Sequence, residues 1–305
     1  MDRLDRRIEA IARDRRHGAA QLADKALEIL VTLCRHGKAS TPENLAQQVV
    51  AAAMRLARTR PSMAAIQNWC LLFARRFGSL AERAGSLKDL RGEGVQLGAS
   101  LRAQRQSLLR QQIEAARPLF TTCRSLVTLS YSSTVEAIIR EALPDDSEVT
   151  IAESRPLLEG RRLFTTLLES HPSIRMVTDA QLGLTVPAAD LVLVGADSVL
   201  SDLGVVNKTG TYLAALVARA HLRPFYVAAD TFKIQAAVDS RTCVLESKPG
   251  SEVWARHAES SDNVYFDITP GRLVSGFLTE SGILDGPGMA ARVREWQELL
   301  ASLRL

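Results

Sequence analysis

Cysteine and histidine are scarce, four and five in 305 residues, and no two cysteines form a Cys-x-x-Cys pair. Cys34, Cys70, Cys123 and Cys243 stand far apart, and no histidine falls at metal-ligand spacing from another histidine or cysteine. This excludes a disulfide framework and a zinc site from the expectation; no metal is expected, and reduced thiols fit a cytoplasmic protein. No run of about 18 uncharged apolar residues offers a membrane span. The opening MDRLDRRIEAIARDRR carries charge throughout where a signal peptide has an apolar stretch. Neither Gly-x-Gly-x-x-Gly nor the P-loop pattern occurs, which argues against nicotinamide cofactors and nucleoside triphosphates. No cofactor is expected.

What is present is a 46% apolar chain, long enough for one large core or two smaller ones. The formal charge is only +4, and the arginines are spread along the chain, not clustered. They read as solvated helix faces and not as a nucleic-acid footprint.

The first 120 residues have helical periodicity. AAQLADKALEILVTLC puts Leu22, Ala26, Ile29, Leu30 and Leu33 on one face. TPENLAQQVVAAAMRLARTR opens on a helix start signal, and RPSMAAIQNWCLLFARRF restarts a helix with Pro61 at its first position. Gly92, Gly94 and Gly98 read as an interruption before a long polar helix that ends near Pro118. From about residue 121 short β-branched runs appear: SLVTLS, EVTIAES, SIRMVTD, LVLVGAD, PFYVAAD and NVYFDIT. Helical patterns separate several of them, so they read as βαβ units. The expected architecture is α/β: an N-terminal all-helical domain over 1–120, then a Rossmann-like, mainly parallel sheet domain over 121–305.

Ligands of such sheets bind at the carboxyl ends of the strands. Those ends read Ser130, Glu153, Asp179, Asp197 and Asp230, four of them acidic. Beyond Asp197, the stretch Asn207-Lys208-Thr209-Gly210-Thr211 enters a helix, whose free N–H groups and positive dipole favour an anion. This reads as a phosphate-binding corner beside a carboxylate.

The stretch GADSVLSDLGVVNKTGTYLAALVARAHLRPFYVAADTFK, with AESRPLLEGRRL and VTDAQLG, resembles the superfamily of the alpha, beta and delta subunits of translation initiation factor 2B. Ribose-1,5-bisphosphate isomerase and methylthioribose-1-phosphate isomerase are its enzymes. RRHGAAQLADKAL and RPSMAAIQNW resemble the helical half more loosely. The resemblance implies a helical domain on a Rossmann-like domain, a homodimer formed through the C-terminal domain, and a sugar-phosphate site between the domains. In the isomerases a cysteine and an aspartate move the proton; the aspartate falls here on Asp197. The implied phosphate and hydroxyl contacts fall on His17, Gly18 and Ala19, then Arg60, then Asn207 and Lys208, and finally Lys233. Ser132, Ser133, Glu153 and Arg155 complete the candidate binding set, although Glu153 and Arg155 could equally form an ion pair with each other.

Two departures stand out. The isomerases carry Thr-His-Cys at the strand end, where this chain has Thr128, Leu129 and Ser130. Tyr131 and Ser132 look more like the alpha subunit of the initiation factor. Cys123 cannot replace the thiol, because seven extended residues separate it from Ser130, about 23 Å at roughly 3.3 Å per residue. The arginine of the family's Arg-Gly-Ala turn is His17 here, with Arg16 beside it as a substitute. The expected function is binding of a phosphorylated sugar or nucleotide monophosphate, as in the regulatory alpha subunit. The alternative is an aldose–ketose isomerase of altered mechanism, with Asp197 as acid–base group and Ser130 as hydrogen-bond donor.

Overall fold

The computed structural model describes residues 3–15, 17–171 and 173–302. Two compact units divide inside a long helix, between Leu108 and Leu109.

The first unit is helical: α1 (Arg3–Ala12), α2 (Ala19–His36), α3 (Pro42–Ala57), α4 (Ala64–Ala81) and the greater part of α5 (Leu87–Phe120). Its core is the periodic face of each helix: Leu22, Leu27 and Leu30, then Leu45 and Leu56, then Ile66, Trp69, Phe73 and Phe77. Thr41 caps α3 by accepting the Asn44 N–H at 3.2 Å, with Pro42 in the first turn as its start signal predicts.

Two expectations change here. Pro61 lies outside α4, in a turn closed by the Met63 N–H on the Arg60 carbonyl at 2.9 Å. Pro at the second position of a turn is as well suited as Pro at a helix start. The glycine interruption does not exist either, since α5 runs unbroken over 34 residues. Gly94 and Gly98 are there for close packing. A Cβ at Gly94 would lie 2.7 Å from Cys34 Sγ, and one at Gly98 2.1 Å from Val31 Cγ2. Removing the Cβ lets α5 lie against α2, which outweighs the low helix propensity of glycine.

The second unit alternates strand and helix: β1 (Ser125–Leu129), α6 (Ser133–Ala142), β2 (Glu148–Ala152), α7 (Glu159–Leu167), β3 (Ile174–Val177), α8 (Leu182–Thr185) and β4 (Leu191–Gly195). It continues through β5 (Ser198–Leu200), β6 (Val205–Lys208), α9 (Thr211–Ala220), β7 (Phe225–Ala228), β8 (Ile234–Gln235), β9 (Phe266–Thr269), β10 (Gly276–Thr279), β11 (Gly282–Leu284) and α10 (Gly286–Ser302). Seven strands form one sheet in the order β11-β10-β7-β4-β1-β2-β3, parallel except for β11. Alternate residues of one strand enter opposite cores. Val127, Val192 and Val194 pack with Ala214 and Ala218 of α9 and Met289 of α10. Leu126, Leu191 and Leu193 pack with Ile138 of α6 and Leu163 of α7. Helices therefore cover both faces, which accounts for the continuous apolar strands.

All six strand-like runs are strands, but NVYFDIT does not join the parallel sheet. Its β9 belongs to a four-stranded sheet, β8-β5-β6-β9, antiparallel to β6 with Asn207 opposite Asp267 and Lys208 opposite Phe266. Asn207 and Lys208, read from sequence as a loop, are thus the last residues of β6.

Candidate functional site

Strand order reverses between β1 and β4, the position at which ligands of open parallel sheets bind. Ser130 follows β1 with φ 62°, left-handed backbone that costs a serine roughly 1–2 kcal/mol. The loop is tied down next to it. The Tyr131 hydroxyl donates to Glu136 of α6 at 2.8 Å, and the Arg162 guanidinium of α7 lies 3.8 Å over the Tyr131 ring. Ser132 caps α6 by accepting the Val135 N–H at 3.3 Å, and Ser133 is the helix's first residue. A Cβ at Gly195, the end of β4, would lie 2.7 Å from Ser132 Oγ, so only glycine lets the two strand ends meet. Asp197 stands two residues further on, its N–H donating to Val206 at 2.8 Å. Ser130, Ser132 and Ser133 therefore follow the end of β1, Asp197 lies just beyond the end of the neighbouring β4, and the Asp197 N–H ties it to β6 next to Asn207. Cys123 precedes β1, at the strand's other end, and burial pushes its thiol up to about 11.

At the end of β2, Glu153 pairs with Arg161 at 3.0 Å and not with Arg155. The exposed Arg155 side chain donates to the Val253 carbonyl at 3.1 Å. Ser154 is left-handed too, φ 63°, and Asp179 at the end of β3 takes the Ser154 and Arg155 N–H groups at 2.8 Å each. Asp230, after β7, accepts the Phe232 N–H at 3.0 Å and caps the turn that carries the buried Lys233. Two of the four acidic strand ends are thus taken up in holding loops.

The corner of β6 and α9 differs from what its sequence predicts. Lys208 Nζ lies 2.9 Å from Glu159 Oε1 of α7 and 4.9 Å from the Tyr265 ring centre. The amino terminus of α9 already holds an anion, because Asp267 Oδ2 takes the Gly210 N–H at 2.8 Å and the Tyr212 N–H at 3.1 Å. Burial outweighs those donors and pushes Asp267 up to about 6. Asn207 Nδ2 donates to Thr211 Oγ1 at 2.9 Å, whose own hydroxyl donates to the Lys208 carbonyl at 2.6 Å. The helix end beside Asn207 and Lys208, read from sequence as a bare phosphate corner, thus has its charges matched from within the chain.

In the helical unit His17, Gly18, Ala19 and Arg60 gather at the turn between α1 and α2. Gly18 and Ala19 begin α2, and the buried Arg60 donates from Nη1 to the Asp14 carbonyl at 2.8 Å. The Asp14 carboxylate takes the His17 N–H and Lys25 Nζ, each at 3.0 Å, and lies 2.8 Å from His17 Nδ1. Arg16 lies outside the described residues. Among the described residues no group of three or more His, Cys, Asp and Glu side chains could hold a metal ion, and no helix is long and apolar enough to cross a membrane.

Comparison with known proteins matches residues 15–286 to the initiation factor 2 subunit family. The chain belongs to that family. It is 33% identical over 293 residues to the putative translation initiation factor eIF-2B subunit 2-like protein of Pyrococcus horikoshii, covering 92% of this chain and 95% of that one. It is also 33% identical over 302 residues to the methylthioribose-1-phosphate isomerase of Pelotomaculum thermopropionicum, covering 92% and 82%. Its structure superposes on that of the Pyrococcus horikoshii translation initiation factor eIF-2B with a TM-score of 0.80 at 30% identity, over 94% and 98% of the two chains. The family thus joins factor-like proteins and a sugar-phosphate isomerase on one fold.

Sequence reading missed three residues of this family member's rim: Glu159, Tyr265 and Asp267. Asp267 had a signal, an acid inside the apolar run NVYFDIT. Glu159 had only its place in LLEGRR, and nothing in that stretch announces a lysine 49 residues away as its partner.

Proposed function

We propose that this family member binds a phosphorylated sugar, or a nucleotide monophosphate, at the sheet rim and does not turn it over as an efficient isomerase. The observation that carries the reading is Ser130. It occupies the strand end where the resemblance sets the isomerase cysteine, in a left-handed turn beside the Ser132–Gly195 contact. A thiol titrates within reach of neutrality, whereas a serine hydroxyl needs a partner base. Loss of a positioned acid–base group costs about 10²–10⁴ in rate. In this reading Asp197 and Asn207 receive hydroxyl groups of the ligand, and Ser130, Ser132, Ser133 and Lys233 are further contacts. His17, Gly18, Ala19 and Arg60 are candidate ligand groups of the helical unit in their own right. Glu153 and Arg155, engaged with Arg161 and Val253, act as supports of the rim.

A second reading is favoured by Asp197 itself, because the isomerase aspartate is retained. It makes the protein an aldose–ketose isomerase that relies on this carboxylate. Calorimetric titration with ribose 1,5-bisphosphate, ribose 5-phosphate, methylthioribose 1-phosphate and AMP tests binding; no heat with any of them sinks the first reading. NMR of the same mixtures separates the two, since turnover above about 1 s⁻¹ lies within the ordinary enzyme range and selects the isomerase. Ser130→Cys is expected to raise any residual turnover.

The same reading includes a homodimer through the sheet unit. Leu184 of α8 and Leu213 and Leu216 of α9 are exposed on neighbouring helices, an apolar patch of the kind that marks interfaces. Light scattering that returns a monomer mass at micromolar concentration removes that part.

A further inference from the structure

The Glu159–Lys208 pair bears on which part of the ligand this rim accepts, an inference that rests on the reading just given. Lys208 is deeply set, with 5% of its side chain exposed, and Glu159 only 25%. One Glu159 oxygen holds Lys208 Nζ at 2.9 Å; the other, Oε2, is buried and accepts nothing among the described residues. Lys248 lies 5.7 Å from the Tyr265 ring centre, beside the ring that Lys208 also faces, and is itself paired with Glu246 at 2.5 Å. The Tyr265 hydroxyl donates to Glu252, which also takes the Asn263 amide at 2.8 Å. The two lysines of this cluster are thus paired with Glu159 and Glu246, and a third glutamate, Glu252, stands at the hydroxyl of the ring they share. The remaining seat for an anion, the amino terminus of α9, is filled by Asp267.

A phosphate brought to Lys208 would have to share the lysine with Glu159, or expel it, beside several carboxylates and largely out of water. Like charges brought together under those conditions repel strongly. A hydroxyl meets the opposite situation, because it can donate to the unused Oε2 and satisfy a buried acceptor. We propose that Glu159 sets the selectivity of this rim. It reserves the Lys208 corner for an uncharged, hydroxyl-bearing part of the ligand and turns phosphate away from it.

Inorganic phosphate is the probe that isolates this role, titrated calorimetrically into the full chain at low salt. The unmodified protein is expected to bind it weakly or not at all at this corner. Glu159→Gln keeps an acceptor for Lys208 and removes the negative charge; its phosphate affinity is expected to rise about tenfold or more, as loss of one close like charge implies. The gain must vanish when Lys208→Met is added. Unphosphorylated ribose, titrated in parallel, is expected to bind the unmodified protein better than the variant. Should Glu159→Gln fail to fold, Glu159→Asp draws the carboxylate back from Lys208 and is expected to give a smaller gain of the same sign.

No gain in phosphate affinity in the variant that folds overturns the proposal. So does tight phosphate binding by the unmodified protein that Lys208→Met abolishes. Ribose binding that is equal in both proteins, or absent from both, overturns the hydroxyl half. Failure of the sugar-phosphate reading is recognised separately, by the titrations of the unmodified protein with the phosphorylated compounds.

Discussion

The two ends of the rim in the sheet unit are built on different principles. Where β1 meets β4, the side chains are small hydroxyls and one carboxylate, and the unusual feature is the backbone: Ser130 is left-handed, and Gly195 is bare so that Ser132 can touch it. Where β6 meets α9, β6 is an ordinary antiparallel strand and the one left-handed position, Gly210 with φ 108°, is a glycine; the unusual feature is charge, since Lys208 and Asp267 are largely buried and each is matched from within the chain. Strain at the first end is held by packing around Tyr131 and Ser132. Charge at the second end is held by partners brought from α7 and β9. A strained turn can release energy when substituted, whereas a buried ion pair can only lose it when one member is removed. Breaking the Glu159–Lys208 pair and relaxing the Ser130 turn should therefore change stability with opposite signs.

The largest effect is expected at the charged end. Glu159→Ala leaves the Lys208 ammonium in a site that exposes only 5% of its side chain. Removing one partner of a buried pair costs about 3–5 kcal/mol. Urea unfolding should show that loss, and Lys208→Met in the same background should recover much of it by removing the stranded charge. If Glu159→Ala costs less than about 1 kcal/mol, the pair behaves as a surface salt bridge, and the contrast between the two ends disappears.

This contrast also marks where sequence reading stops. The helical faces of α2 and α3 and the six strand-like runs were legible because periodicity follows from burial, and burial from local composition. The strand-end residues Ser130 and Asp197 were legible because a parallel sheet fixes which end of a strand is the rim. The second sheet was not. β5 and β6 are three and four residues long, and Asn207-Lys208 looks like a loop until Asp267 and Phe266 are set opposite them. The glycines of α5 misled for a related reason. As local signals they read as breaks, and their purpose is visible only once Cys34 and Val31 are placed against them. In each case the deciding partner lies dozens of residues away, where no pattern of spacing reaches.

Asp267 gives the next effect, and its sign follows from linkage. Its pKa is raised from 3.8 to about 6, so between those values the folded chain holds a proton that the unfolded chain has lost. This contribution is fully present below about pH 4 and is lost as pH rises through about 6. A shift of about two units corresponds to roughly 2–3 kcal/mol at most. Asp267→Asn, which keeps an acceptor for the Gly210 N–H, should flatten that part of the profile and leave the variant the more stable of the two at pH 7. Urea midpoints measured from pH 4.5 to 7.5 check this; parallel curves for the two proteins would mean that the α9 N–H groups fully offset the burial.

The smallest effects lie at the strained end, where two serines a turn apart should move stability in opposite directions. Ser132→Ala removes the oxygen that accepts the Val135 N–H, a cap whose loss costs about 1 kcal/mol. Ser130→Gly removes the left-handed penalty of roughly 1–2 kcal/mol but frees the unfolded chain by about 0.5–1 kcal/mol. The net is a gain of between zero and about 1.5 kcal/mol in unfolding free energy. Destabilisation by Ser130→Gly would mean that the hydroxyl, not the backbone, is what this position supplies to the fold. It would also weaken the view that the left-handed turn is kept for a ligand. The sign at Ser130, more than its size, therefore tells whether this end of the rim is built around strain.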